Sequence, residues 1–467
     1  MRYVSTRGRA AEAGFSDVLL TGLAPDGGLY VPVSWPSITP QRIAAFSSTP
    51  YADVATEIAA PFCEGEIEPE TLRLICSEAY AGFRHPAVTP LVQLGTNRWL
   101  LELFHGPTYA FKDLAMQLLS RLMDHVLAER DERATIVVAT SGDTGGSAVE
   151  AFRGADRIDL FVLFPNGRIS EVQRRQMTTA GDANVHTLAV DGSFDDCQAL
   201  VKALFAKPAL RDEVSLAAVN SINWARIVAQ VTYYFVAAAA LGAPARATAF
   251  CVPTGNFGDI YAGHVASRMG LPLEQLAIAT NSNDILARTL ESGRYEVRDV
   301  VPTTSPSMDI QISSNFERLL WEASKGDGEA VSTAMERLKQ SGAFDIDGPA
   351  LAAIKQDFTA GSADEAAMAE ALSRTLDDAG YLADPHTAVA LSVAGRMRSE
   401  APLVTLATAH PAKFPDAVES VVGYPPERPA ALAALFDREE LFTEIAADVG
   451  AVERHIMDHA RAARMEA

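Results

Sequence analysis

Four cysteines in 467 residues, with no Cys-x-x-Cys pair and no His/Cys cluster at metal spacing, leave neither a disulfide framework nor a zinc site to organise this chain. Cys63, Cys76, Cys197 and Cys251 suit a reducing compartment, and Cys251 ends an apolar run as inert packing. No apolar run reaches the roughly 18 residues that a membrane span needs. The start, Met1-Arg-Tyr-Val-Ser-Thr-Arg-Gly-Arg, has arginines but no apolar segment after them, so no export signal is expected. Basic charge is scarce too: 39 Lys and Arg against 60 Asp and Glu leave a net charge of -21, which argues against nucleic acid or an anionic membrane as partner. Internal repeats and low-complexity tracts are missing. The expectation is a metal-free cytoplasmic protein, long enough for two or three structural units.

What the chain does contain is a pair of glycine-rich turns in matching contexts. Ser141-Gly-Asp-Thr-Gly-Gly146 follows Thr135-Ile-Val-Val-Ala-Thr140, and Thr254-Gly-Asn-Phe-Gly-Asp259 follows Ala249-Phe-Cys-Val252. Both preceding runs are apolar without alternation, as in strands covered on both faces of a parallel sheet, and both turns open a helical pattern. A ligand of such a sheet lies beyond the carboxyl ends of its strands, where helix N-termini offer free amides to an anion. Lys112, in Gly106-Pro-Thr-Tyr-Ala-Phe-Lys-Asp-Leu-Ala115, starts a third helical pattern between Phe111 and Leu114. Apolar surroundings disfavour its ammonium form, and a neutral amine can bond an aldehyde. One lysine and two anion loops together suit a phosphorylated aldehyde cofactor, pyridoxal phosphate. A lysine merely snorkelling at a helix start is the competing reading.

Organisation follows the same period changes. The first 95 residues read as an irregular cap with helices, broken by Pro25, Gly27, Gly28, Pro32, Pro36 and Pro40. β/α alternation then sets in: strands at 135–140, 158–164 and 185–190, helices near Thr144, Ser170 and 194–205, a long helix over 222–241, a helix ending at Met269, and strands at 276–280 and 402–407. Residues 325–380 turn acidic and alanine-rich and read as a helical insertion with a solvated face. The division expected is a cap over 1–95, a large α/β unit over 96–143 and 215–467, and a small α/β unit over 144–214.

These residues resemble the threonine synthases, pyridoxal-phosphate enzymes of the fold type II group that also holds tryptophan synthase β and the serine and threonine dehydratases. The resemblance runs from Tyr3-Val-Ser-Thr-Arg-Gly8 and Leu23-Ala-Pro-Asp-Gly-Gly-Leu-Tyr-Val-Pro32 through the lysine segment, both loops and Asn220-Ser-Ile-Asn-Trp-Ala-Arg226 to Thr408-Ala-His-Pro-Ala-Lys-Phe414. It implies two open, mostly parallel α/β sheets flanked by helices, and conversion of O-phospho-L-homoserine and water to L-threonine and phosphate by a monomer or homodimer. It implies Lys112 as the amine that bonds the cofactor and carries protons. Gly255, Asn256, Phe257, Gly258 and Asp259 match the cofactor-phosphate loop, with the Asp259 carboxylate expected to point away. Thr408 matches the hydroxyl facing the pyridine nitrogen, although a helix N-cap is an equal reading of the residue by itself. Ser141 and Thr144 match the hold on the substrate carboxylate and, in threonine synthases, on part of its phosphate; Asn220, Ser221 and Arg226 match the family's site for that phosphate, with a structural ion pair as the alternative for Arg226. Asp143 stands where the wider group has an Asn that contacts the cofactor, which leaves its own contact open. His105, His264, His386 and His410 read as structural donors. A phospho-lyase yielding 2-oxobutyrate and a non-catalytic binding protein are the rival functions.

Overall fold

The computed structural model describes residues 1–464. Two open sheets form its centre. The larger runs in the order Phe358–Ser362, Leu273–Thr280, Thr248–Pro253, Leu403–Ala407, Arg98–Glu102, Leu91–Gly95, parallel throughout except at the last pair. The smaller runs Thr443–Ala446, Val185–Asp191, Ile158–Pro165, Ala134–Ala139, Leu216–Ala217, and every pair is parallel. Their central strands, Ile158–Pro165 and Thr248–Pro253, are buried at every residue. Helices on both faces explain why those stretches carry no polar alternation.

Helix starts are set by capping side chains. Ser170 accepts from the Gln173 amide at the head of Glu171–Thr178, and Ser193 forms a capping box with Asp196 ahead of Phe194–Phe205. Asn223 accepts from the Ala225 amide, so the long helix begins at Trp224 and runs Trp224–Ala240 rather than starting at Ile222. That helix is buried on nearly all sides because it lies between Gly258–Arg268, Lys112–Arg130 and the cap helix Tyr51–Ala59. The cap itself adds an antiparallel pair, Tyr3–Ser5 with Tyr30–Pro32, and the helices Phe15–Thr21 and Pro69–Ala81.

Sheet membership departs from the expected borders in three places. Ala134–Ala139, placed with the large unit by a border at 143, pairs instead with Ile158–Pro165 in the smaller sheet. Thr443–Ala446 returns from the end of the chain to the edge of that sheet, and its short, half-polar sequence carries no apolar run to announce it. The 325–380 segment does form the helices Gly328–Ser341, Gly348–Asp357 and Glu365–Ala379, but Phe358–Ser362 between them is an edge strand of the larger sheet. Edge position leaves it half exposed, which is why its pattern does not read as a buried strand.

No helix among the described residues is long and apolar enough to cross a membrane. All four cysteines are free and buried; Cys251 points its thiol at the Ala390 carbonyl, and burial pushes it up to about 12.

Trp224 is fully buried against Tyr3, Phe62 and Trp35, with ring centroids 5.8 to 6.2 Å apart, and it bonds the cap to the long helix. Trp224→Ala is expected to lower stability by about 3–5 kcal/mol, read as a fall in the denaturant midpoint. A loss below about 1 kcal/mol would show that the cap does not depend on this contact.

Candidate active site

Three adjacent parallel strands of the larger sheet deliver the site's segments at their carboxyl ends. Arg98–Glu102 leads into the loop that ends at Lys112, Leu403–Ala407 into Thr408, and Thr248–Pro253 into the Gly255 turn. The lysine and threonine segments are stitched together: the Phe111 amide donates to the Thr408 carbonyl at 2.8 Å, and the His410 amide to the Tyr109 carbonyl at 3.1 Å. Thr108 is fastened by Asp113, whose carboxylate accepts its amide and its hydroxyl, both at 2.7 Å. Arg84 grips the Gly106 and Pro107 carbonyls and stacks over Tyr109.

Lys112 opens the helix Lys112–Arg130 with its side chain 12% exposed and Nζ over the Phe111 ring. Its ammonium is therefore not snorkelling. Burial lowers its pKa first, and the charges of Arg226 and Lys413 lower it further, while Asp143, with Oδ2 3.6 Å from Nζ, works the other way. Asp143 comes from the first loop, beyond the smaller sheet. Its Oδ1 accepts from Gln173 Nε2 at 3.0 Å and from Lys413 Nζ at 2.9 Å. Burial alone would raise the Asp143 carboxyl, but Lys413 and Lys112 together hold it well below the usual carboxylate range. Gly142, at φ +142°, lets the turn lie against the Gln173 amide where a Cβ would collide.

The two loops differ in how many amides they leave open. In the first, the Thr140 hydroxyl accepts from the Gly142 and Gly145 amides at 2.9 Å each, so only those of Ser141, Asp143 and Thr144 have no partner within the described chain. In the second, the amides of Gly255, Asn256, Phe257, Gly258 and Asp259 all lack one. Phe257 adopts φ +64° with its ring buried against Phe316 and Phe358. A Cβ at Gly255 would sit 2.8 Å from the Ser307 carbonyl. Asp259 faces the neighbouring helix: Tyr233 and Tyr234 donate to its Oδ1 at 2.6 and 2.9 Å. Burial raises its carboxyl to about 6.

Thr408 does not cap the following turn. His410 does, accepting from the Ala412 amide at 3.1 Å, and the Thr408 hydroxyl makes no hydrogen bond within the described chain. Arg226 has no carboxylate partner among the described residues. Its Nη1 donates to the Val219 carbonyl at 3.2 Å, Nε is buried without a partner, and burial brings the guanidinium down to about 10. Asn220 is exposed and Ser221 half-buried on the approach to that helix. The histidines are structurally engaged: His105 with Glu102, His264 beside Glu322, and His386 between Asp384 and the Ser307 amide.

Sequence reasoning missed Lys413, Gln173 and Gln176. Lys413 lay inside the Thr408 to Phe414 motif, so its signal was present but was absorbed by the threonine beside it.

Comparisons with known proteins follow the same geometry. Residues 2–80 match the family described as Threonine synthase N terminus, 83–409 match Pyridoxal-phosphate dependent enzyme, and 387–456 match Threonine synthase, C-terminal. The chain is 49% identical over 462 residues to threonine synthase of Pseudomonas aeruginosa, covering 98% of both chains. It is 42% identical to threonine synthase of Saccharomyces cerevisiae, covering 90% of this chain and 89% of the other. The crystal structure of pyridoxal-phosphate-bound threonine synthase from Brucella melitensis superposes with a TM-score of 0.97 at 57% identity, over 99% of this chain and 100% of that one.

The raised carboxyl of Asp259 has a consequence for stability. A group held above its unfolded value stabilises the fold below that value, and the contribution is lost as pH rises through about 6. Asp259→Asn is expected to gain on the parent by about 1 kcal/mol between about pH 5.5 and about pH 7.5 in denaturant titrations. A gain of the opposite sign would mean that the buried carboxylate is stabilised as the ion.

Proposed function

This chain belongs to the threonine synthase family of pyridoxal-phosphate enzymes, and on that premise we propose that Lys112, Asp143, Thr408, the Gly255 turn and Arg226 form its active site. The reaction is conversion of O-phospho-L-homoserine and water to L-threonine and phosphate, a carbon–oxygen lyase step in threonine biosynthesis, with pyridoxal 5'-phosphate as cofactor. What carries the assignment of residues is the convergence of Lys112, Thr408 and the Gly255 turn at the ends of three neighbouring parallel strands.

The groups present fit the cofactor. Five amides from Gly255 to Asp259 without a partner among the described residues suit a phosphate dianion, Lys112 supplies an amine whose pKa burial lowers, and the unbonded Thr408 hydroxyl suits a ring nitrogen. Bound there, pyridoxal phosphate supplies an electron sink that makes protons on the substrate's Cα and Cβ removable. A hydroxyl at the ring nitrogen, unlike a carboxylate, leaves that nitrogen unprotonated and moderates the sink.

The rest is done by the chain. Lys112 would hold the cofactor through Nζ, and as a neutral base the same Nζ takes a proton from the substrate carbon and later returns one. The Ser141 and Thr144 amides hold the substrate carboxylate at the first loop. Arg226, a buried cation with an open Nε, takes the substrate's phosphate together with Asn220 and Ser221, and keeps the leaving group in place while water adds at Cβ. Elimination and hydration then share one enclosed site. We assign the chain to the cytoplasm as a monomer or homodimer, with a cap and two units built on the two sheets; light scattering of the purified protein reads the assembly state.

With O-phosphohomoserine, the purified protein is expected to release phosphate and threonine in equal amounts, and Lys112→Ala to fall below about one-thousandth of the parent rate. Phosphate accompanied by 2-oxobutyrate would favour the lyase instead. Arg226→Met is expected to raise KM by about tenfold or more with a smaller change in kcat, and an unchanged KM would remove Arg226 from the substrate's phosphate site.

A further inference from the structure

Lys413 is wholly buried, and no role for it follows from the reaction as assigned above. It ends the turn Pro411–Lys413, a few residues after Thr408. An ammonium has three protons to donate, and here each has an acceptor: the Thr108 carbonyl at 2.8 Å, Gln176 Oε1 at 2.9 Å and Asp143 Oδ1 at 2.9 Å. The three acceptors belong to three separate segments, which are the lysine loop, the helix Glu171–Thr178 and the first anion loop. Gln176 Nε2 also donates to the Thr108 carbonyl at 2.9 Å, and Asp113 holds the other polar atoms of Thr108. Lys413 is thus fixed in space.

Asp143 therefore has two cations, unequally placed. Lys413 stands at hydrogen-bond distance from Oδ1, and Lys112 stands further off, 3.6 Å from Oδ2. A carboxylate with Lys112 as its one counter-ion would hold that amine as ammonium, because loss of the proton would strand a buried charge. With Lys413 present, the carboxylate stays compensated whether Lys112 is charged or neutral.

We propose that Lys413 is a positioning residue of the reaction: it fixes the Asp143 carboxylate beside Lys112 and balances its charge, so that Lys112 is free to give up its proton and to move. The inference rests on Lys112 being the reacting amine. Lys413 itself touches neither reacting atom. It acts through Asp143 and through its own field at Nζ of Lys112.

The test is competitive acetylation of the full-length apoprotein across pH, read at Lys112 by mass spectrometry, which needs neither turnover nor cofactor. Lys413→Met is expected to raise the Lys112 labelling midpoint by about one pH unit or more, and Lys413→Arg, which keeps the charge, to restore most of the shift. A midpoint that does not move in Lys413→Met would overturn the proposal and leave Lys413 a structural tie. If that variant does not fold, Lys413→Gln, which keeps a donor for Asp143 without the charge, takes its place, with the Lys112 midpoint again expected about one pH unit higher and an unmoved midpoint overturning the proposal. Failure of wild-type protein to form threonine would instead bear on the assigned reaction, since the labelling result does not depend on it.

Discussion

A carboxylate that cannot reach water must be compensated where it stands, and in this chain that carboxylate is Asp143. Its partners come from both sheets: Gln173 from a helix beside the smaller one, Lys112 and Lys413 from segments that follow strands of the larger one. Removing one member of a buried ion pair typically costs about 3–5 kcal/mol, so the two sheets are held in one relation by a charge requirement as well as by packing. The same requirement shapes the chemistry. Asp143 and Lys413 cancel, Lys112 is pressed toward neutrality by burial and by neighbouring cations, and Arg226 is left as a buried cation without a carboxylate.

The backbone makes the complementary contribution. A parallel sheet points all its strands one way, so successive loops gather at one edge, and three neighbouring strands bring the amine, the hydroxyl and the run of free amides together without long excursions. The two glycine turns are not equivalent. Thr140 occupies two amides of the first, leaving three, whereas all five in the second are without a partner among the described residues. Asp259 stays behind that second turn, bound to two tyrosines, and its raised carboxyl keeps negative charge off the loop more readily than an ordinary aspartate would.

Much of this could be read in the sequence. Unbroken apolar runs before 141 and 254 marked parallel strands, and the turn residues that followed marked where those strands end. Lys112 could be singled out by its apolar flanks. The parts that stayed hidden depend on contacts far along the chain. Lys413 is an unremarkable lysine until Thr108, Gln176 and Asp143 surround it, and spacings of 237 and 305 residues leave no local pattern. Whether Thr408 capped a helix or faced a ligand was undecidable locally, since His410 two positions on does the capping. Edge strands such as Phe358–Ser362 and Thr443–Ala446 failed to stand out because the first has a single buried residue and the second none. The expected border at 143 fell at a glycine turn, whereas the sheet divides before the strand that precedes it.

The central claim is that burial and the neighbouring cations let Lys112 become a neutral amine below the pH at which an ordinary lysine loses its proton. The most direct check is the rate at which the apoprotein captures pyridoxal phosphate as a function of pH, because only the neutral amine attacks an aldehyde. The rate should reach its plateau well below 10.5, the value for an unperturbed lysine. A rate still climbing tenfold for each pH unit up to that value would mean that Asp143 holds Lys112 as ammonium, and the account would fail.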